Sequence, residues 1–407
     1  MKPRQRKALL IFIVLFSMLN AAFSQIADKM MIVIIDGARY TETFGDPTYK
    51  YIPKMKALSQ EGTLLDNFAN NNYTYTSRAI PALWCGAWTA VEPIVYQGTS
   101  TQYAVLPTLF EYYRKQKNKP AEDCVYVLKY VPSLWLPSFD IDYGPNYWPE
   151  FHSVGSSDQE VATQAQMVMA DSHPHFMLVY LAEVDHAGHL GIWENYTASI
   201  QTADSIVGVL WEKLQSDPFY KNSTTLIVTN DHGRHDDQHG GFQNHGCSCE
   251  GCRHIQFLAV GPDIKKNFVS TQYRNIPDMT VTASYLLGIQ PQKATGNTMY
   301  EIFNFTGTNE EIKPTFARDA TYPNPFSKST NIRYYLERAE HVRLSIFSVS
   351  GEKIITLKDE WESQGNKSIR WDAKNAHGQR VVPGIYFYKL QVGNKSETGK
   401  LILTNDS

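Results

Sequence analysis

Met31–Gly37 reads MIVIIDG, five consecutive apolar residues followed by an aspartate and a glycine. A run this short with no polar interruption suits a strand buried on both faces of a sheet, because alternate side chains point to opposite sides and both sets are apolar. Similar runs recur at Cys124–Leu128 (CVYVL), Phe176–Leu181 (FMLVYL), Thr225–Val228 (TLIV) and Ile255–Val260 (IQFLAV). Helical patterns fall between them, for example at Leu109–Lys115 and Val161–Asp171. This alternation predicts an α/β fold with a mostly parallel central sheet flanked by helices. Ligands bind such sheets beyond the carboxyl ends of the strands, so the residues following each run matter most.

Three of those ends deliver aspartate: Asp36 after MIVII, Asp185 in LAEVDHAGHLG after FMLVYL, and Asp231 in TNDHG after TLIV. One aspartate at a strand end is ordinarily a helix cap or turn residue. Three together, two of them beside histidines, point to metal binding. Asp185 and His189 form DxxxH, a spacing that lets both side chains face one metal from a turn or first helical turn. Asp231 and His232 are adjacent, which suits a strand-end loop where successive side chains diverge. Carboxylate and imidazole suit zinc, and manganese or iron less selectively.

Val228–His254 packs five histidines, three cysteines and three aspartates into 27 residues. It reads either as a cysteine-rich zinc knuckle or as a fragment of a catalytic site whose other ligands lie elsewhere. Thr74, Thr76 and Ser77 in NNYTYTSRAIPALWCGAW form a hydroxyl cluster at an expected helix start, with Pro81 expected near the first turn. A hydroxyl there meets an incoming phosphate with the helix dipole behind it; the alternative is an ordinary N-cap.

In order, VIIDG, a Thr/Ser segment about ten positions before a glycine, DHAGH, NDHG and a late HG resemble the alkaline phosphatase superfamily of two-metal esterases, particularly its phosphodiesterase and nucleotide pyrophosphatase branch. The resemblance spans Lys29–Ile302. It implies a nucleophile at Thr76, counted back from Gly86, with Ser77 the nearest competitor. It also implies two divalent metal ions, zinc: one held by Asp185, His189 and His245, the other by Asp36, Asp231, His232 and the Thr76 oxygen. Four positive charges then meet three carboxylates and one alkoxide, so the buried set is balanced. The implied reaction is in-line attack by Thr76 on a phosphoester substrate, a covalent phosphothreonine, and its hydrolysis from the opposite side. SRA is similar to the sulfatase signature, but position 74 is neither Cys nor Ser, so the formylglycine precursor is missing. GAWTAVEPIVYQGTS has no clear equivalent of the branch's pocket asparagine and HG pair, and the phosphate-gripping arginine of typical alkaline phosphatases has no assigned position, although Arg78 could point into the site. Monoester, diester and phosphonate specificity therefore stay open. The rival expectations are a sulfatase-like hydrolase and an inactive zinc-binding surface protein.

The rest of the chain bears on location. MKPRQRK, the apolar run Ala8–Leu19 and small residues at Ala22 and Ser24 predict a signal peptide over 1–24, and export permits disulfides. Cys249 and Cys252 in CEGC are the expected pair, in a loop that positions His245, with a CxCxxC zinc knuckle as the alternative. A catalytic domain is expected over 25–313. At 314–407 a linker, KPTFARDATYPNPF, leads into alternating β patterns (NIRYYL, VRLSIF, KIITL, SIRW, GIYFYKLQV, GKLIL) that predict a small β-sandwich. Through YPNPFSKSTNIRYYL, SVSGEKI, WDAKNAHGQRVVPGIYFYKL and GKLIL this region resembles the sorting domain of the type IX secretion system of Bacteroidetes-type bacteria. That implies the type IX secretion machinery as partner and a secreted or cell-surface location after passage through the periplasm. A formal charge of -3, from 38 basic and 41 acidic residues, gives no electrostatic case for nucleic acid.

Overall fold

Alternate residues of the first strand, β1 (Lys29–Ile35), belong to two different cores. Met30, Ile32 and Ile34 pack on one side of the sheet, and Met31, Val33 and Ile35 on the other. This is the double burial that MIVII predicts, and each fully buried aliphatic side chain contributes about 1.5–3 kcal/mol. The computed structural model describes residues 27–129, 135–304, 316–322, 324–336, 339–393 and 395–405. The expected signal peptide and the expected domain boundary at 313–314 lie outside the described residues.

The central sheet adds β2 (Thr63–Ala69), β3 (Cys124–Lys129), β4 (Glu150–Val154), β5 (Phe176–Leu181), β6 (Thr224–Thr229), β7 (His254–Val260) and β8 (Phe268–Ser270). Its order is β8-β2-β7-β6-β1-β5-β3-β4, with Arg274–Asn275 also paired to β2. The sheet is mostly parallel; β7 is antiparallel to both its neighbours, β6 and β2. Helices α1 (Pro53–Glu61), α4 (Asp158–Asp171) and α6 (Trp193–Ser216) cover one face. On the other face lie α2 (Thr76–Cys85), α3 (Leu109–Lys117) and α8 (Ile276–Leu286). Between α4 and α6 comes α5 (Glu183–Leu190), which begins directly after β5. Asp158, at the start of α4, caps it by accepting hydrogen bonds from the backbone N–H of Ala182 (2.9 Å) and Glu183 (3.0 Å). Between β7 and the loop that follows β6 sits a single helical turn, α7 (Glu250–Arg253).

Two details differ from expectation. Pro81 is the sixth residue of α2, not in its first turn; it lacks the N–H that would bond the Ser77 carbonyl, and its ring packs into the buried face. The expected linker contains a strand, Phe316–Tyr322, paired antiparallel with Thr330–Leu336. That strand opens a three-stranded antiparallel sheet, and the C-terminal region adds a four-stranded one. Their inner faces, including Ile332, Tyr334, Leu344, Trp371, Tyr388 and Leu401, form a separate core, as a sandwich requires.

Candidate active site

Strand register builds the site. Ile35 pairs with Leu181 and Ile34 with Thr229, so β1, β5 and β6 end level and release Asp36, α5 and Asp231 at one edge. Gly37 follows with φ +70, and a Cβ there would fall 2.8 Å from Asp185 Oδ1. Glycine thus lets α5 close on the strand end. Asp36 and Asp231 are buried, as is His232. Thr76 is the first residue of α2, and its hydroxyl donates toward Asp36 Oδ1 (3.4 Å) and lies 3.1 Å from His232 Nε2. His232 Nε2 is in turn 3.3 Å from Asp36 and 3.4 Å from Asp231. The Thr74 hydroxyl is spent on the Cys247 carbonyl (2.7 Å), so it does not compete with Thr76.

A second group adjoins the first. Asp185 and His189 lie one turn apart on α5, 3.3 Å between Oδ2 and Nε2. His245, from the loop after β6, brings its Nε2 to 3.0 Å from His189 Nε2 and 3.5 Å from Asp185 Oδ1. The His232 and His245 rings stack with centroids 4.0 Å apart, joining the two groups. All seven residues expected from the sequence are therefore brought together.

The donor chemistry fits cations. His232 Nδ1 donates to the Gly233 carbonyl (2.8 Å) and His245 Nδ1 to the Thr74 carbonyl (3.0 Å). Carbonyls only accept, so each Nδ1 carries a proton, and in the neutral ring each Nε2 keeps the lone pair that a cation would take. Asp231 Oδ2 is buried with no hydrogen-bond partner among the described residues. Lone pairs converging in this way are stable only around positive charge.

The titration pattern has the same cause. Burial, then the charges of Asp231 and Asp185, pushes the Asp36 carboxyl well above its ordinary value. Burial and the Asp185 charge push Asp231 up to about 7. Burial also opposes ionisation of Asp185, but the His189 hydrogen bond and the charges of His232 and Arg234 outweigh it and hold this carboxyl below the usual range. Burial and the charge of His232 pull His245 down to about 3.

Several supporting residues carry no signal in the sequence pattern. Arg234, fully buried, pairs with Asp185 and donates to the Gln243 carbonyl (2.9 Å), so it ties α5 to the His245 loop. The Tyr180 hydroxyl donates to Asp36 Oδ2. Asn70 donates to the carbonyls of Tyr73 (2.7 Å) and Asp231 (2.8 Å), linking the approach to α2 with the end of β6. NDHGR contains Arg234, but only the fold reveals its partner. Arg78 is turned to the Thr89 carbonyl (3.1 Å) and lies over the Tyr73 ring. In the described part of the aromatic segment 130–148, Tyr143 and Trp148 are buried and cap the core.

The expected Cys249–Cys252 disulfide is corrected, since all five cysteines are free thiols. Cys249 and Cys252 bracket α7, where Cys252 N–H donates to the Cys249 carbonyl (3.2 Å), and the Cys247 sulfur lies 3.7 Å from that of Cys252. His254 stacks on Tyr40 (3.7 Å) and His239 binds Asp236 (2.6 Å), so neither belongs to the Asp36–His245 cluster.

Comparisons with known proteins agree with this architecture. A protein of glycosaminoglycan metabolism from Bacteroides thetaiotaomicron superposes with a TM-score of 0.52 at 12% identity, covering 85% of this chain and 90% of that one. Murine ectonucleotide pyrophosphatase / phosphodiesterase 5 gives 0.49 at 15% identity, covering 68% of this chain and 100% of that one. At 12% identity the likeness to the Bacteroides thetaiotaomicron protein is one of fold. Two 2,3-bisphosphoglycerate-independent phosphoglycerate mutases are similar in sequence. That of Thermomicrobium roseum is 26% identical over 173 residues, 42% of this chain and 30% of the relative. That of Caenorhabditis elegans is 25% identical over 170 residues, 41% of this chain and 28% of the relative. The chain thus spans under a third of the length of these curated relatives. Over residues 67–378, more than half of its length, the chain matches type I phosphodiesterase / nucleotide pyrophosphatase, and it belongs to that family.

Proposed function

We propose that the chain is an exported hydrolase of phosphoric esters, a phosphodiesterase or phosphatase, acting through a covalent phosphothreonine at Thr76. The observation that carries this reading is the Thr76 hydroxyl at a helix N-terminus, 3.1 Å from His232 Nε2 and 3.4 Å from Asp36 Oδ1. Asp185, His189 and His245 would hold one divalent cation. Asp36, Asp231, His232 and the Thr76 oxygen would hold a second, with zinc the ion these donors suit. When bound, such cations supply Lewis-acid stabilisation of charge on the phosphoryl and leaving oxygens and lower the pKa of the hydroxyl.

The side chains then divide the work. Thr76 Oγ1 gives up its proton to solvent and attacks phosphorus in line, and the bond to the leaving alcohol breaks as the Oγ1–P bond forms; the alcohol takes a proton from solvent. Water attacks from the opposite side, regenerates the hydroxyl and releases phosphate or its remaining ester. Asp36 faces the hydroxyl, and the α2 N-terminus directs partial positive charge at the phosphoryl group. Tyr73 and Trp88 meet edge-on (5.8 Å) near this N-terminus, and Tyr73 is 38% exposed, which supplies an apolar wall for a leaving group. A sulfatase is the weaker reading because Thr74 cannot become formylglycine.

The test is turnover of p-nitrophenyl phosphate, bis-p-nitrophenyl phosphate and p-nitrophenyl sulfate, with metal analysis of the same preparation. Chelator-sensitive release from a phosphate ester is expected. Faster release from the sulfate, or none from any phosphate ester, overturns the proposal. The C-terminal sandwich is proposed as the signal read by the type IX secretion machinery, supported by its YPNPF and GIYFYKL motifs and its separate core. Surface delivery that persists without it, in a host bearing that machinery, would reject this role.

A further inference from the structure

Three cysteines and one histidine meet beside the candidate active site without belonging to it. The ligand atoms of His235, Cys247 and Cys252 all lie within 4.8 Å of one another. The Cys249 thiol is in hydrogen-bonding contact with those of Cys247 and Cys252. Cys249 N–H also donates to Cys247 Sγ (3.2 Å). Cys252 is fully buried and Cys249 nearly so. His235 Nε2 is buried and has no hydrogen-bond partner among the described residues.

We propose that His235, Cys247, Cys249 and Cys252 form a tetrahedral structural zinc site, distinct from the Asp36–His245 cluster. The separation of 3.7 Å between Cys247 Sγ and Cys252 Sγ matches the edge of a zinc–thiolate tetrahedron. With Zn–S of about 2.3 Å that edge is about 3.8 Å. A disulfide would hold the two sulfurs at about 2 Å. It would use only two of the three sulfurs and leave His235 Nε2 buried and unsatisfied, whereas one zinc ion takes the converging donors of His235, Cys247 and Cys252, and the Cys249 thiol, in contact with both other sulfurs, turns in from the side of Asp236 as the fourth. Cys249 also approaches Asp236 and His239, but His239 is exposed and already bonded to Asp236 (2.6 Å). C-x-C-x-x-C supplies the three sulfurs from one turn, with no fold-level assembly beyond bringing in His235.

The position of the site gives it a task. His235 lies three residues beyond His232 and Cys247 two beyond His245, so the ion would staple the loop carrying Asp231 and His232 to the loop carrying His245. The Cys247 carbonyl accepts the Thr74 hydroxyl (2.7 Å) and so extends the staple to the segment entering α2. Gly251 shows how tightly the turn packs on that loop: a Cβ there would lie 2.5 Å from the Arg234 carbonyl.

The experiment uses the full chain purified without reductant. Metal content is measured, thiols are titrated after denaturation in chelator, and a cobalt-exchanged sample is examined for thiolate-to-metal charge-transfer absorption. The Asp36–His245 cluster contains no sulfur, so such absorption reports this site alone, whatever ion or reaction the other cluster supports. The expected results are five titratable thiols and a strong charge-transfer band. Cys252→Ser and His235→Ala should each bind one zinc fewer than the parent, and Cys252→Ser should weaken the band. Three titratable thiols with an intact mass two hydrogens short would show a disulfide and overturn the proposal. Absence of the band in the cobalt-exchanged parent would overturn it too, even if both variants fail to fold.

Discussion

Two clusters of ligating side chains share the stretch Asn230–Cys252, and they are assembled in opposite ways. The Asp36–His245 cluster draws on β1, β5, β6 and α2, elements separated by up to about two hundred residues, and exists only because parallel register makes three strands end level. The His235–Cys252 cluster is local, with all four residues inside eighteen positions. The first has a hydroxyl aimed into it at a helix N-terminus; the second is walled by buried sulfur and backbone. Long-range assembly accordingly goes with chemistry and local assembly with bracing.

The contrast breaks most easily at Thr76. Thr76→Ala should lower kcat by roughly 10³-fold or more while leaving metal content unchanged, because it removes the nucleophile and only one oxygen of a large donor set. Unchanged turnover would place the nucleophile elsewhere. Arg234 stands between the clusters, paired with Asp185 and bonded to the carbonyls of Phe242 and Gln243. Arg234→Met should cost about 1–3 kcal/mol, because it removes the pairing with Asp185 and leaves the Phe242 and Gln243 carbonyls without their donor, read as a fall in Tm. A shift near zero would mean that bound metal alone compensates Asp185.

The smallest expected effect concerns pH. With metals removed, Asp231 sits at about 7 and Asp36 is also raised, above the ordinary values they regain on unfolding. A group whose folded pKa is raised stabilises the fold below its unfolded pKa and loses that contribution as pH rises through the folded value. The metal-free protein should therefore lose stability between about pH 4 and pH 7, a window set by those carboxyls. The Tm gained on adding zinc should be larger at pH 8 than at pH 5, since binding must displace these protons. An equal gain at both values would mean that the carboxylates are already ionised in the metal-free state.

The same contrast explains what the sequence made legible. MIVII, CVYVL and FMLVYL are readable as strands because both faces are covered, so no polar residue interrupts them. Thr63–Ala69 escapes that rule: its exposed Asp66 and Asn67 break the run, and pairing to β7 on one side and β8 on the other supplies what periodicity lacks. The antiparallel setting of β7 is equally invisible, since IQFLAV is as apolar as its parallel neighbours. Asp36, Asp185, His189, Asp231 and His232 were readable because they cluster just past the strand ends, whereas Thr76 as nucleophile and His245 as ligand entered only through the resemblance to the alkaline phosphatase superfamily. Arg234, Asn70 and Tyr180 were not readable, because their partners lie on other elements and arginine, asparagine and tyrosine are common beside glycine or within strands. The cysteines misled for a physical reason: spacing alone favours pairing the two sulfurs of CEGC, whereas the turn at α7 brings Cys247 to Cys252.

The central claim is a covalent intermediate on Thr76, and stereochemistry at phosphorus tests it most directly. Hydrolysis of a phosphorothioate diester of defined configuration in heavy-oxygen water reports the number of in-line displacements, whether or not the intermediate accumulates. Two displacements, by Thr76 and then by water, predict overall retention of configuration. Inversion would mean one direct attack by water and would contradict the account.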